Sequence, residues 1–117
     1  MKTLLNLEEA AEFALGLALF LQLEYAWWWF PVLLLAPDVG MIGYLINSKI
    51  GAFTYNLTHH KAVAISFILV GLFVLTDIYT AIGAIMLAHS AMDRIFGYGL
   101  KYSDRFQHTH LGEIGNN

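Results

Sequence analysis

Apolar residues fill four long stretches of the chain, and short polar joints separate them. Each stretch has about the length that a helix needs to cross a bilayer, and the four cover residues 4–23, 26–46, 52–75 and 78–96. A polar tail follows at residues 97–117. The pattern predicts an all-α fold, a four-helix transmembrane bundle with a short cytoplasmic C-terminal tail. We expect one integral membrane domain over residues 1–117.

The joints carry turn-forming residues, although the first joint is short. Residues 23–25 leave room only for a tight turn, whereas residues 47–51 combine Asn, Ser and Gly. Residues 76–77, Thr and Asp, supply a turn and a helix cap. Because the first joint is so short, residues 13–36 can also form one span with Glu24 near its middle, which leaves a three-span alternative open.

Basic residues lie mostly on one predicted side of the bundle. The four-span order brings the N-terminus, the second joint and the tail together, and this side carries Lys2, Lys49, Lys101 and Arg105, with Arg94 at its margin. The opposite side carries the acidic Glu24 and Asp77. Since basic loops stay in the cytoplasm, we expect a multi-pass protein of the inner membrane with both termini cytoplasmic.

Composition agrees with a membrane location. The chain has 117 residues, of which 58% are hydrophobic and only 13% charged, whereas soluble domains carry about 25% charged residues. This excludes a disordered chain and disfavours a soluble monomer. The net charge of −3 argues against nucleic-acid binding, and the absence of cysteine excludes disulfides and thiolate metal sites. The lipid bilayer is the expected partner, and a homo-oligomer stays open.

Ionisable residues interrupt the apolar stretches. The longest runs free of Asp, Glu, Lys and Arg are residues 62–76 and 78–92, fifteen residues each. A simple spanning helix has roughly 18 or more such residues. Either the stretches form a soluble-type core, or ionisable groups lie inside the membrane. The second arrangement is energetically costly and usually functional.

Four ionisable residues fall at similar depth in three of the predicted helices: Asp38, His59, His89 and Asp93. At about 1.5 Å per residue, they lie roughly 6–13 Å from the inner boundary of the bilayer. His89 and Asp93 are four positions apart and therefore share one helix face. Asn56 and His59 are three positions apart and also share a face. The spacing thus favours a common polar site.

Imidazole and carboxylate together suit a divalent metal. Two histidines and two carboxylates fill most of the coordination sphere of zinc or non-haem iron and leave a place for water. Water bound there becomes a nucleophile at neutral pH. Two alternatives stay open: hydrogen-bonded pairs that are only structural, and a relay for protons or metal ions.

Residues around this group have less specific signals. Pro37 lacks a backbone donor, so we expect a kink in the second helix, and Gly40 and Gly43 permit close helix approach. Lys61 either reaches the inner membrane surface or pairs with a glutamate of the first helix. His60 is expected at the rim of the bundle or in a polar part of the core.

The tail is unlike an ordinary solvated segment. Gly97 and Gly99 permit a tight exit from the fourth helix, and Phe106 can return the tail to the mouth of the bundle. His108 and His110 alternate along the chain, so in an extended segment they share one face, and one of them is a candidate further ligand or base. The alternative is a tail that only anchors at the membrane interface.

Several motifs together resemble one family. They are residues 36–44, Gly51, residues 55–59, residues 89–102, Phe106 and residues 109–112. The combination resembles, over nearly the whole chain, the small bacterial membrane family called domain of unknown function forty-two sixty. The resemblance implies an integral membrane protein of about four helices and implies no activity. The family's polar positions correspond to Glu8, Asp38, Asn56, His59, His89, Asp93, Arg94, Lys101 and His110, whereas His60, Lys61 and His108 depart from its pattern.

We therefore predict a metal-dependent hydrolase that acts on an anionic or lipid-like substrate. Its metal ligands are Asp38, His59, His89 and Asp93, and the expected metal is zinc or iron. Its catalytic residues, at the mouth of the site, are Arg94, Lys101 and His110, and its supporting residues are Glu8, Asn56 and Tyr98. Cationic side chains at the mouth favour an anionic lipid headgroup or a phosphate as ligand. The alternative is a non-enzymatic membrane protein whose polar cluster is structural or relays protons or metal ions.

Overall fold

The computed structural model describes residues 1–114, so the end of the predicted tail, residues 115–117, lies outside the described residues. The described chain is mainly helical, which confirms the all-α class. Its elements are α1 (Lys2–Leu21), α2 (Trp29–Leu33), a 3-10 segment (Ala36–Leu45), α3 (Ser48–His59), α4 (Lys61–Val74), α5 (Asp77–Ile95) and the two short strands β1 (His108–Thr109) and β2 (Gly112–Glu113).

Helix α5 is the centre of the fold, because α1 and α4 both pack against it. The buried part of α5 is rich in small residues, namely Ala81, Gly83, Ala84, Ala88 and Ala91. Small side chains let helix backbones approach closely. Phe20 of α1 and Phe30 of α2 fill the space on one side, and Ile68 of α4 packs on the other. His89 of α5 is also fully buried.

Pro37 breaks the second predicted span. The stretch forms the short α2 and then the 3-10 segment instead of one helix. Pro37 has no N–H to donate to the carbonyl of Leu33. The Asp38 N–H donates to the Leu35 carbonyl at 3.1 Å, which is the 3-10 pairing. The Leu34 carbonyl thereby loses its α-helical donor and is available to a side chain.

His60 divides the third predicted span into α3 and α4. Its backbone is extended (φ −88°, ψ 123°), and its Nδ1 accepts a hydrogen bond from the Ala62 N–H at 3.1 Å, which caps α4. The two helices meet at 45°. Because α3 ends at His59, the His59 carbonyl no longer receives the N–H of a following helical turn.

Gly40 and Gly43 allow the 3-10 segment to pack against α3, as predicted. The Thr54 hydroxyl donates to the Gly40 carbonyl at 2.5 Å. A Cβ on Gly40 would lie 2.7 Å from the Thr54 carbonyl oxygen, and a Cβ on Gly43 would lie 2.7 Å from the Ile50 carbonyl oxygen. Both distances are shorter than ordinary contacts. This packing holds the segment that carries Asp38 beside α3.

The tail folds back on the helices. Asn56 of α3 binds the backbone of Lys101 twice: its Nδ2 donates to the carbonyl at 2.8 Å, and its Oδ1 accepts the N–H at 2.7 Å. Phe106 packs edge-on against Tyr44, with ring centres 5.2 Å apart. Strands β1 and β2 pair antiparallel, and Thr109 of β1 also bridges to Lys101. Asn56 therefore supports the tail rather than the polar cluster.

Within residues 1–114, no single helix is both long and apolar enough to cross a bilayer. Helices α3 and α4 taken together, with their 45° bend, meet the requirement of length and composition.

Candidate metal centre

Four side chains from three elements converge at one point. Asp38 comes from the 3-10 segment, His59 from the last position of α3, and His89 and Asp93 from adjacent turns of α5. The two histidine Nε2 atoms lie 3.0 Å apart. Asp38 Oδ1 lies 3.2 Å from His59 Nε2 and 3.1 Å from His89 Nε2. Asp93 Oδ2 lies 3.4 Å and 3.3 Å from the same two nitrogens.

Backbone carbonyls orient both imidazole rings. His59 Nδ1 lies 2.8 Å from the Tyr55 carbonyl oxygen, and His89 Nδ1 lies 2.7 Å from the Leu34 carbonyl oxygen. Since a carbonyl only accepts, each Nδ1 donates its proton. Each neutral ring therefore directs the lone pair of Nε2 at the cluster, which is the arrangement typical of metal-bound histidine.

The distances within the cluster are compatible with a bound metal ion. Around a metal with ligand distances of about 2.0–2.1 Å, the edges of a tetrahedron measure about 3.3–3.4 Å. Five of the six pairs of ligand atoms are 3.0–3.4 Å apart. Charge-assisted N–H···O bonds are shorter, about 2.7–2.9 Å. Two carboxylates and two imidazole rings at these distances form a group that could hold a metal ion.

The cluster is buried on one side and accessible on the other. The side chains of His59 and His89 are 3% and 1% exposed, and that of Asp93 is 13% exposed. The side chain of Asp38, by contrast, is 36% exposed. Solvent or a small ligand can therefore approach the cluster past Asp38.

Two further side chains position the cluster residues. The Tyr55 ring stacks on the His59 imidazole, with centres 3.8 Å apart and planes 7° from parallel, and its hydroxyl donates to Asp93 Oδ2 at 3.4 Å. The Ser90 hydroxyl donates to the His59 carbonyl at 3.0 Å. Neither Tyr55 nor Ser90 was predicted as a site residue, although Tyr55 precedes His59 by one helical turn and Ser90 adjoins His89.

Arg94 is next to the cluster but faces another space. Its guanidinium donates to the His59 carbonyl at 3.3 Å. With His110 it lines a cavity between α1, the end of α5 and the tail. His110 Nδ1 accepts the Leu100 N–H at 2.8 Å. Burial and the nearby positive charges of Arg94 and Lys61 lower the pKa of His110, so its ring is neutral at pH 7.

Lys101 is not at an open mouth, where it was predicted. It is only 5% exposed, and its ammonium lies 3.7 Å from the Phe106 ring centre and 4.7 Å from the Tyr55 ring centre. Burial lowers the pKa of Lys101 to about 8, although the charge of Asp93 opposes the shift. Two aromatic faces therefore hold this cation, and it fixes the tail over Tyr55.

Other predicted residues lie away from the cluster. Glu8 is exposed on α1, and its neighbours Glu9 and Glu12 bind the Lys61 ammonium instead, at 2.5 Å and 3.0 Å. Of the two alternatives for Lys61, pairing with a glutamate of the first helix is therefore correct.

The remaining tail residues also have partners outside the cluster. The side chain of Tyr98 is 42% exposed, and its N–H bonds the Asp93 carbonyl at 2.7 Å. His108 binds Asp104, with its Nδ1 2.8 Å from Oδ2. The expectation that His108 or His110 reaches the cluster is wrong, because both rings bind within the tail.

Comparison with known proteins identifies a family but no activity. The family described as "Domain of unknown function (DUF4260)" matches residues 2–114, and it is the family that the sequence motifs resemble. No curated protein and no solved structure gave a significant match.

Proposed function

We propose that this chain, which belongs to the DUF4260 family, is a metalloprotein that holds one divalent ion, zinc by its geometry, between Asp38, His59, His89 and Asp93. The observation that carries the proposal is the pair of histidine Nε2 atoms 3.0 Å apart, each of which presents a lone pair when its ring is neutral and Nδ1 donates to a backbone carbonyl. Two carboxylates complete the set, so a divalent ion leaves the buried site neutral. This charge neutrality offsets the desolvation cost of burying the four groups.

Metal content of the purified protein tests this proposal. The protein is prepared without chelator, and its metals are measured by elemental analysis beside His59→Ala and His89→Ala. We expect about one equivalent of a single divalent metal in the natural chain and less than about a tenth of that in each variant, because loss of an imidazole ligand weakens metal binding. The control is His108→Ala, which removes a half-buried histidine outside the cluster and should retain the metal.

The variants are checked for folding by circular dichroism. Metal content is also measured in Asp38→Asn, which removes the charge of one ligand at nearly constant side-chain shape. Metal absent from the natural chain contradicts the proposal. Equal metal content in the natural chain, His59→Ala and His89→Ala contradicts it as well, because the bound metal would then lie elsewhere.

We further propose that the metal supports hydrolysis. The exposed side of Asp38 leaves a route for water and substrate to a site that is otherwise closed. A divalent ion lowers the pKa of a coordinated water to near neutrality. With Asp38 bound, the four-coordinate site has no open position, so hydrolysis would require Asp38 to leave the metal. A water would then take its place, and the freed Asp38 carboxylate would accept the proton of that water.

Turnover of an activated phosphate ester such as 4-nitrophenyl phosphate tests the hydrolytic activity. We expect hydrolysis that a chelator removes and that added zinc restores, with at least about a hundredfold loss in Asp38→Asn. A fully metal-loaded protein without turnover on a panel of phosphate and carboxylate esters contradicts hydrolysis. That result would support the alternative, a non-enzymatic protein in which the metal is structural or transported.

We also propose that lipid surrounds the fold in the inner membrane. Large apolar side chains face outward on several elements, including Trp27, Val39, Phe53, Phe73 and Leu75, and the last two are 84% and 87% exposed. Small residues meanwhile fill the interfaces of α5. Small residues inside and large apolar residues outside are typical of helix packing in a bilayer. In water the same surface would drive aggregation.

Cysteine labelling tests both the membrane location and its orientation, because the natural chain has no cysteine. Glu24→Cys and Lys49→Cys are treated with a maleimide that does not cross the inner membrane. We expect Glu24→Cys to react in cells with a permeable outer membrane and Lys49→Cys to react only after lysis. Recovery of the protein as a monomer in the soluble fraction contradicts the membrane proposal, and the reverse labelling pattern contradicts the orientation.

A further inference from the structure

A cavity lies beside the candidate metal centre, and none of the four cluster residues lines it. It has a volume of about 470 Å³ and is bounded by the opening turns of α1, the end of α5 and the tail. Its polar lining residues are Lys2, Asn6, Glu9, Arg94 and His110, and its apolar ones include Leu5, Ile95, Phe96 and Leu111. The cavity therefore has both a polar and an apolar part.

The polar part of the cavity offers mainly hydrogen-bond donors. Arg94 donates to the His59 carbonyl through one nitrogen, and its guanidinium makes no other hydrogen bond or ion pair within residues 1–114. The His110 ring uses Nδ1 as an acceptor for the Leu100 N–H, so its proton is on Nε2. Lys2 and Asn6 add an ammonium and an amide.

The one acidic residue of the lining is already neutralised. Both carboxylate oxygens of Glu9 bind the Lys61 ammonium, at 2.6 Å and 2.5 Å. The remaining charges, on Lys2 and Arg94, are both positive. The cavity also borders the first turns of α1, where the positive end of the helix dipole adds to these charges. The balance of charge and donors calls for an anion with several acceptor oxygens.

We propose that this cavity binds the phosphate group of a ligand, with Arg94 as its main contact. A guanidinium matches phosphate oxygens in two-pronged geometry, and Lys2, Asn6 and the His110 Nε2–H supply further donors. The volume exceeds that of a phosphate ion, and the apolar wall accommodates an uncharged remainder. The phosphate comes either from a lipid headgroup or from a soluble phosphate.

Binding of two probes to the purified protein tests the proposal and separates these sources. Inorganic phosphate is titrated by calorimetry, and phosphatidic acid in detergent micelles is compared with diacylglycerol, which differs only by the phosphate. Binding of phosphatidic acid with no binding of inorganic phosphate assigns a lipid headgroup, and saturable binding of inorganic phosphate assigns a soluble source. Either result supports a phosphate site. Failure of both probes to bind overturns it.

Charge-matched variants identify the residues that bind. Arg94→Gln should weaken binding at least about tenfold, since it removes a charge-assisted contact, and Arg94→Lys should recover part of the loss. Lys2→Gln, which changes an exposed side chain and is not expected to affect folding, should weaken binding about threefold. Lys49→Gln removes the same charge from an exposed position far along the chain and should change binding by less than about twofold.

A loss in Lys49→Gln equal to that in Arg94→Gln overturns the proposal, because binding would then follow net charge alone. Metal content separates this site from the metal centre. Arg94→Gln should lose phosphate binding and keep its metal, whereas His59→Ala should lose its metal and keep phosphate binding. Loss of phosphate binding in His59→Ala with an intact circular dichroism spectrum would overturn the independence of the two sites.

Discussion

At the scale of residues, the decisive feature is that two imidazole nitrogens and two carboxylate oxygens face one another. The two imidazole rings use Nδ1 to donate to carbonyls of Tyr55 and Leu34, and therefore present Nε2 to each other at 3.0 Å. A pair of structural hydrogen bonds to the carboxylates would instead require a second proton on each ring, at Nε2. The cluster thus resembles a coordination sphere in chemistry as well as in distance.

Tyr55 provides a prediction at this scale. Its hydroxyl donates to Asp93 Oδ2 at 3.4 Å, a long bond to a metal ligand. Partners of metal ligands typically contribute about 10–100-fold to metal affinity, and the length of this bond places it at the lower end. We expect Tyr55→Phe to weaken metal binding about tenfold in a competition titration with a chelating dye.

Tyr44→Phe is the matched control, because its buried hydroxyl has no hydrogen-bond partner within residues 1–114. An equal effect of the two substitutions would show that the Tyr55 hydroxyl does not orient Asp93.

Lys101 provides a prediction of pH dependence. Burial lowers its pKa from 10.5 to about 8, so between these two values the unfolded chain binds more protons than the folded chain. Stability therefore rises with pH across this window. We expect the melting temperature of the natural chain to rise relative to that of Lys101→Met between pH 8 and pH 10.5.

The exposed Lys49→Met serves as the control for Lys101. A flat difference across the window, or a fall in the stability of the natural chain relative to Lys101→Met, would show that Lys101 is charged and solvated in the folded protein.

At the scale of elements, two breaks in the helices build the site. Pro37 forces the 3-10 pairing of Asp38, which frees the Leu34 carbonyl for His89. The extended backbone of His60 ends α3, which frees the His59 carbonyl for Ser90 and Arg94. Both freed carbonyls would be occupied in continuous helices. The irregular backbone thus lies where side chains of α5 need acceptors.

Packing of the 3-10 segment against α3 gives the prediction for this scale. A methyl group at Gly40 would lie 2.7 Å from the Thr54 carbonyl oxygen, so Gly40→Ala pushes the segment away from α3. Asp38 moves with the segment while His59 stays with α3. We expect metal affinity to fall about tenfold or more, measured by competition titration, with helix content unchanged.

Val39→Ala is the control for Gly40, because it changes an exposed neighbour on the same segment. Unaltered affinity in Gly40→Ala would mean that this packing does not fix the position of Asp38.

The sequence could supply the four cluster residues but not the path of the backbone. The four-residue spacing of His89 and Asp93 alone predicts that they share a helix face. Their similar predicted depth in the bilayer linked them to Asp38 and His59. Hydropathy does not report where a helix breaks, because an extended His60 between apolar neighbours leaves the apolar pattern intact. Carbonyl acceptors leave no signal at all. The position of Lys101 was wrongly predicted because its aromatic partners, Tyr55 and Phe106, contact it only after the tail folds back on the helices.

At the scale of the whole molecule, the cluster joins two packing units. The 3-10 segment packs mainly on α3, whereas α1 and α4 pack mainly on α5, and contacts between the two units are fewer. Asp38 and His59 belong to the first unit, and His89 and Asp93 belong to the second. A metal at the cluster therefore crosslinks the two units.

Metal removal should weaken this crosslink. A ligand present at about 100 times its dissociation constant stabilises a folded protein by about 2.7 kcal/mol. We expect chelation to lower the melting temperature of the natural chain and zinc to restore it, as followed by circular dichroism. His59→Ala should respond to neither treatment. An unchanged melting temperature after verified metal removal would show that the two units are held together without the metal.

The metal site itself is tested most directly by X-ray absorption spectroscopy on the metal that copurifies. The geometry predicts about four nitrogen and oxygen neighbours at a mean distance of about 2.0–2.1 Å, with the outer-shell scattering of two imidazoles. His59→Ala should abolish that spectrum. A six-coordinate hydrated ion, or a spectrum that His59→Ala leaves unchanged, would contradict a metal centre formed by Asp38, His59, His89 and Asp93.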